Sequence, residues 1–289
     1  MNNTFTTLAT TFDAQILAAM DAVLTAGISE ARVQIVAAIS LLILIVGGLA
    51  MMGKMDVGTA ALTGVRAVCV SALLQTTTYN YYVRDFFFTD LPNHLAAAVG
   101  GPRVTLSSAA QFDQLTAATL NAMSYVLGVA TGWSDIGERM IAYAIAGLTI
   151  MALFFIFALW LLTRLMLALI ILLGPFLIIL FLFRATRRFV EQWIGMLIGA
   201  VALQLAASIV LRILLLVITD QMRVMQRVAQ SGGDVPILIS NQAVVLGVCA
   251  FAAFIMFVLP SVIAIGSGAA GSSALNTFTN LRNATRTGR

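Results

Sequence analysis

Charge is what this sequence lacks most. Of its 289 residues only 10% are Asp, Glu, Lys or Arg, against 61% hydrophobic, and the mean hydropathy is +1.00. A soluble domain holds about 25% charged residues because a water-facing surface needs them. A chain this short with so few cannot cover itself for water, so lipid must solvate much of it. Lysine occurs once, at Lys54, and histidine once, at His94. One histidine and two separated cysteines do not make a usual zinc site, which takes three or four ligands. A histidine-based triad has only His94 to draw on, in a loop beside Pro92-Asn93, and its plainer reading is an exposed polar residue. Cys69 and Cys249 lie in apolar segments, where free cysteine acts as a small hydrophobe, so no disulfide framework is implied. The first ten residues contain no basic region leading into an apolar one, so no cleavable signal peptide is expected. No catalytic, metal or cofactor-binding residues are assigned, and the expectation is a protein that is not an enzyme.

The net charge of +4 is mostly arginine beside apolar segments, which fits the positive-inside bias and snorkelling better than nucleic-acid binding. The stretch Gly48–Met55 resembles a phosphate-binding loop, Gly-x4-Gly-Lys. Met55 stands where a hydroxyl residue is needed, and no strand precedes it. Small residues at a helix end followed by an interfacial lysine explain it better.

A bilayer-spanning helix needs roughly 20 apolar residues. Five stretches qualify: Val33–Gly53, Val57–Tyr82, Met140–Phe183, Gln192–Thr219 and Gln242–Gly266. The predicted fold class is all-α: a polytopic helical membrane protein of about five transmembrane helices, one unusually long, with a helical extramembrane loop. The expected organisation is an amphipathic segment over 1–32, a first helix pair over 33–83 and a central loop over 84–139. A C-terminal membrane region over 140–266 and a polar basic tail over 267–289 complete it. In the central loop, Gly100-Gly101-Pro102 reads as a break between helices and Ser108 with Gln111 as a capping box. Phe112, Leu115, Thr119, Leu120, Met123 and Leu127 recur at helical spacing, predicting an amphipathic helix over Ala109–Ala130. Phe12, Ile16, Ala19 and Val23 suggest a similar helix over Thr11–Ala26.

Met140–Phe183 is about 66 Å long as one helix, against a hydrocarbon core of about 30 Å. As a hairpin it would turn at Leu162–Met166, which contains no Gly, Pro or Asn. Charge placement satisfies the positive-inside rule with five spans or with six. The acid-rich central loop and the missing turn favour five.

Ionisable residues inside apolar segments are expensive and usually face a bundle interior or an aqueous path. Arg66, Arg164 and Arg212, with Gln204, are therefore candidates for pore lining or intersubunit pairing. For Arg66 and Arg212, snorkelling to a nearby interface is the plainer account. Gly195 and Gly199 form a GxxxG pattern that allows close helix contact.

The most specific segment is Leu172–Gly195. It consists of Gly174-Pro175, an apolar stretch, a basic turn with Arg184, Arg187 and Arg188, then Glu191 and Trp193 opening the next span. This order resembles the TrbL-like polytopic inner-membrane subunits of type IV secretion and conjugation systems. The early helix pair, long central loop and basic tail are similar as well. The resemblance implies an inner-membrane component of an envelope-spanning channel in a Gram-negative bacterium. It implies a periplasmic N-terminus and central loop, a cytoplasmic C-terminus and no enzymatic activity. Its implied partners are a pilus-tip or stalk subunit, bitopic scaffold proteins, ATPases, and translocating DNA or protein. The excess length of Met140–Phe183 predicts cover by further copies of the chain, a homo-oligomer. The rival reading is the membrane subunit of a small-molecule permease, with the three arginines along an anion path. An intramembrane enzyme is disfavoured because the spans hold no His, Cys or carboxylate pair.

Overall fold

The computed structural model describes residues 3–54, 56–92, 94, 98, 108–133, 135–183, 186–231 and 234–284. Among these the regular elements are all helical. They are α1 (Thr4–Met51), α2 (Val57–Leu73), α3 (Thr76–Tyr79), a π-helix (Asn80–Asp90), α4 (Ser108–Val129), α5 (Ile136–Leu180), α6 (Arg187–Gln230) and α7 (Val235–Ala284). The predicted break at Gly100-Gly101-Pro102 and residues 285–289 of the tail lie outside the described residues.

Five helical stretches are long and apolar enough to cross a membrane: Thr4–Glu30, Gln34–Met51, Ile136–Leu180, Arg187–Gln230 and Val235–Val262. The chain is thus a multi-pass helical membrane protein. The five differ from the sequence reading in one member. Val57–Tyr82 is not a single helix: α2 stops at Leu73, and Gln75 is extended with ψ 131° before α3 begins. Its 17 residues reach about 25 Å, short of the core. Thr4–Glu30 is long and apolar enough to stand in its place, yet it runs without a break into Gln34–Met51 as the 48-residue α1, so the two are successive parts of one helix.

The end of α1 shows what Gly48–Lys54 does. Gly53 has φ +66°, the left-handed region. Its N–H donates to the Ala50 carbonyl and the Lys54 N–H reaches back to Leu49, both at 3.0 Å. These two bonds close a Schellman cap, which explains the glycine before the lysine. Asp56 then opens α2 by accepting the Gly58 N–H at 3.1 Å.

The 45-residue α5 is continuous through Leu162–Met166, so the hairpin needed for six crossings does not form. It is about 68 Å long, and the 44-residue α6 about 66 Å.

The chain divides into two compact units. The first comprises residues 1–13, 94–163 and 203–261. Its core is built from seams at three- and four-residue spacing. Phe112 and Leu115 come from α4, Leu153, Ile156, Phe157 and Trp160 from α5, Ala207, Leu211, Leu214 and Ile218 from α6, and Val245, Cys249, Ala252 and Met256 from α7. Lipid tails are as apolar as these side chains, so close van der Waals packing holds the seams together more than expulsion of water. Phe5 of α1 joins this core, with ring centroids 5.7 Å from Phe112 and 4.8 Å from Phe157. It is fixed there by Asp113, whose carboxylate accepts the Phe5 N–H at 2.9 Å, the Thr6 N–H at 3.0 Å and the Thr6 hydroxyl at 2.6 Å. First-turn N–H groups have no partner within their own helix. Here an acid from α4, over a hundred residues along the chain, supplies one and opposes the helix dipole.

The second unit comprises residues 14–93, 164–202 and 262–289. It holds Ile16, Met20, Leu24 and Ile28 of α1 as a buried stripe. Of the predicted N-terminal face only Ile16 belongs to it, since Ala19 and Val23 are exposed. Both sides of this segment are apolar, so periodicity alone did not single out the packed one. In α4, likewise, Phe112, Leu115 and Thr119 are buried as expected, while Leu120 is exposed and Ala122 and Val126 continue the seam.

Candidate functional site

The site is a break in the backbone ladder of α5, closed by side chains from two other segments of the second unit. In an α-helix the N–H of residue i donates to the carbonyl of residue i−4. Pro175 has no N–H, so the Ile171 carbonyl is left without its ladder partner. That carbonyl is served from outside the helix: the Tyr79 hydroxyl donates to it. One residue earlier, the Ile170 carbonyl accepts the Trp193 indole N–H at 2.8 Å. Tyr79 is wholly buried and Trp193 is 4% exposed, so neither bond competes with bulk water.

Gly174 makes room for both rings. A Cβ at this position would collide with the Tyr79 hydroxyl and stand 2.7 Å from Trp193 Cζ2. Gly174, Pro175 and Trp193, picked out in the sequence as a motif, are therefore brought together in space. Pro175 opens the ladder, Tyr79 closes it, Trp193 adds a bond to the neighbouring carbonyl, and Gly174 admits both rings. Tyr79 is not among the site residues singled out in the sequence. The signal available was the proline itself, whose missing donor requires a substitute; nothing in the sequence says which residue provides it.

Tyr79 leads directly into the π-helix Asn80–Asp90, where Leu91 N–H still reaches the Phe86 carbonyl five residues back. Extended π-helix is rare and tends to occur at functional sites. Here it buries Val83 and Phe88 and leaves Tyr81 and Tyr82 exposed. Phe88 places its ring 5.2 Å from the Arg164 guanidinium carbon, a cation–π contact for the arginine with no nearby helix end. Arg84, in the middle of the π-helix, pairs with Asp21 of α1 and, at 2.7 Å, with Asp85. Asn80 adds a 3.3 Å bond to Asp21. Burial lowers the Arg84 pKa, yet the two carboxylates together carry it above the usual arginine value.

The remaining candidates are dispersed. Arg66 is half-buried on α2 and Arg212 half-buried on α6. Gln204 lies 5% exposed on α6, three residues before Ala207 of the core seam, and its side-chain N–H2 has no acceptor among the described residues. Gly195 and Gly199 are half-buried, and a Cβ on Gly195 would meet nothing within 4 Å, so Gly195 serves no close helix contact among the described residues. In the basic turn, Arg187 pairs with Glu191 at 3.0 Å and lies 5.4 Å from the Phe181 ring. Arg188 is exposed, and Arg184 lies outside the described residues.

Long apolar helices and a side-chain-sealed proline break, with no group of three metal-ligating side chains among the described residues, define a polytopic membrane protein built on packing and polar pairing. The comparison with known families makes this specific. The chain belongs to the TrbL/VirB6 family: residues 39–259 match the family described as TrbL/VirB6 plasmid conjugal transfer protein. It is similar to the type IV secretion system protein VirB6 of Bartonella quintana (strain Toulouse), 34% identical over 145 residues, 48% of this chain and 43% of that protein. The VirB6 protein of Bartonella henselae (strain ATCC 49882 / DSM 28221 / CCUG 30454 / Houston 1) is also 34% identical, over 131 residues, 44% of this chain and 39% of that one. The aligned part thus spans less than half the length of these relatives.

Proposed function

We propose that this chain is a non-enzymatic membrane component of a type IV secretion machine, forming part of the channel or platform that passes DNA or protein across the envelope and supports pilus assembly. The observation that carries this reading is the family match over residues 39–259, which includes the proline break and its tryptophan. The protein sits in the inner membrane, with the loop 84–139 periplasmic and the basic turn and tail cytoplasmic, consistent with the acid-rich loop and with the three spans α5, α6 and α7 that follow it. Several copies assemble: α5 and α6 are each more than twice the length of a hydrocarbon core, and the surplus needs protein cover. Arg66, Arg164, Arg212 and Gln204 face the interior or the contacts between copies, and Gly195 and Gly199 lie at a helix contact between copies. A pilus-tip or stalk subunit, bitopic scaffold proteins and ATPases are its partners in the machine. Arg164 over Phe88 gives no support to an anion path through a permease.

Deleting the gene and restoring it in trans tests this. The deletion is expected to abolish substrate transfer and the restored gene to recover it. Transport of a small solute by the purified protein alone in liposomes, with transfer unaffected by the deletion, would sink the proposal in favour of the permease.

A further inference from the structure

One backbone N–H at position 175 would have closed the α5 ladder by itself. Instead the Tyr79 hydroxyl does that work from another segment, the Trp193 indole adds a bond at the neighbouring Ile170 carbonyl, and Gly174 is kept small to let both in. Beyond the break the helix ends at Leu180 in a tightened turn. Phe181, Leu182 and Phe183 donate three residues back, to Ile178, Ile179 and Leu180, at 3.0, 3.2 and 3.3 Å. The Thr186 hydroxyl ties the Leu180 carbonyl at 2.6 Å. Residues 171–183 are therefore bounded by a missing ladder bond at one end and a tightened turn at the other. The bonds across the missing step come from side chains that rotate away without unwinding any helix.

We propose that residues 171–183 form a two-position hinge, that the Tyr79 hydroxyl and Trp193 indole lock it in the position seen here, and that movement between the positions is needed for substrate transfer. This rests on the secretion reading above. The lock is strong because the freed Ile171 carbonyl sits in apolar surroundings, where an unmet acceptor is costly. It is reversible because it rests on single side-chain hydrogen bonds, whose loss leaves the remaining backbone bonds of α5 in place. The π-helix makes Tyr79 a lever: the tyrosine is its preceding residue, and Arg84 ties that helix to Asp21. A pull on 80–90 is thus transmitted to the hinge lock.

The test uses the full chain in phospholipid nanodiscs and, in parallel, in cells carrying the rest of the machine. Hydrogen–deuterium exchange is followed over peptides within 171–183, comparing amides shared by all variants. Tyr79→Phe keeps the ring and removes only the donor; it is expected to speed exchange there about three- to tenfold, the factor for one lost hydrogen bond. Pro175→Ala restores the ladder donor, slows exchange, and makes Tyr79→Phe silent when the two are combined. In cells Pro175→Ala is expected to accumulate normally yet lose transfer, because the joint is locked. Unchanged exchange in Tyr79→Phe overturns the lock, and wild-type transfer by Pro175→Ala overturns the hinge. If the deletion strain transfers normally, the secretion reading fails, whereas the exchange measurements judge the lock independently.

Discussion

Replacing Gly174 by alanine is the sharpest perturbation available, because helix propensity and packing push in opposite directions. In an exposed helix interior the change stabilises by up to about 1 kcal/mol. At this position the new methyl would collide with the Tyr79 hydroxyl and lie 2.7 Å from Trp193 Cζ2. Both neighbours are buried rings, and both are held by hydrogen bonds to carbonyls of α5. Relief by rotation leaves an acceptor unmet, at about 1–3 kcal/mol for each. Relief by backbone shift costs about 1–3 kcal/mol as overpacking. The cheaper relief sets the cost, so the net expectation is a loss of roughly 1–2 kcal/mol after the propensity gain. Gly195→Ala is the internal control: it faces open space within 4 Å and is expected to be neutral or slightly stabilising in the isolated chain. Thermal unfolding of both variants in the same detergent, with tryptophan emission as a local probe, separates them. A lowering of the midpoint by on the order of 2–5 °C is expected for Gly174→Ala alone. If Gly174→Ala unfolds at or above the wild-type temperature, the packing described around the proline break is wrong.

Other consequences follow from single contacts. Asp113→Ala removes three hydrogen bonds to the first turn of α1 and is expected to cost about 1–2 kcal/mol, with Asp113→Asn losing less; limited proteolysis of residues 3–12 reads the fraying. Gly53→Ala forces a side chain into the left-handed region at a cost of about 1–2 kcal/mol, with Gly53→Asn milder, measured by unfolding in detergent. Phe88→Leu keeps apolar bulk but removes the face under Arg164, so a loss of about 1–2 kcal/mol is expected; no loss beyond that of Phe86→Leu would show the cation–π contact to be incidental.

The order of helices was largely readable in the residues, for reasons the structure makes plain. α5, α6 and α7 are so apolar that length and composition alone locate them. The Gly-Pro and the tryptophan eighteen residues later stood out because proline and glycine have few neutral uses inside a span. What periodicity did not reveal was which side of an apolar helix packs. Ala19 and Val23 are as hydrophobic as Met20 and Leu24, and only the neighbours decide between them. Val57–Tyr82 looked like one span because nothing at Leu74-Gln75 is a strong breaker; the change to π geometry after Tyr79 has no signature in Asn80–Asp90. Tyr79 and Asp113 escaped notice for a common reason. Each serves a backbone group far along the chain, and a backbone group leaves no mark in the sequence.

The grip of Asp113 on the start of α1 has a bearing on how the protein is made. Thr6 and Asp113 are 107 residues apart, so at a synthesis rate of roughly 5–20 residues per second the helix waits on the order of 5–20 s for its cap. During that interval its first turn is open to water, lipid headgroups or the insertion machinery, and its final seating must come after α4 has emerged.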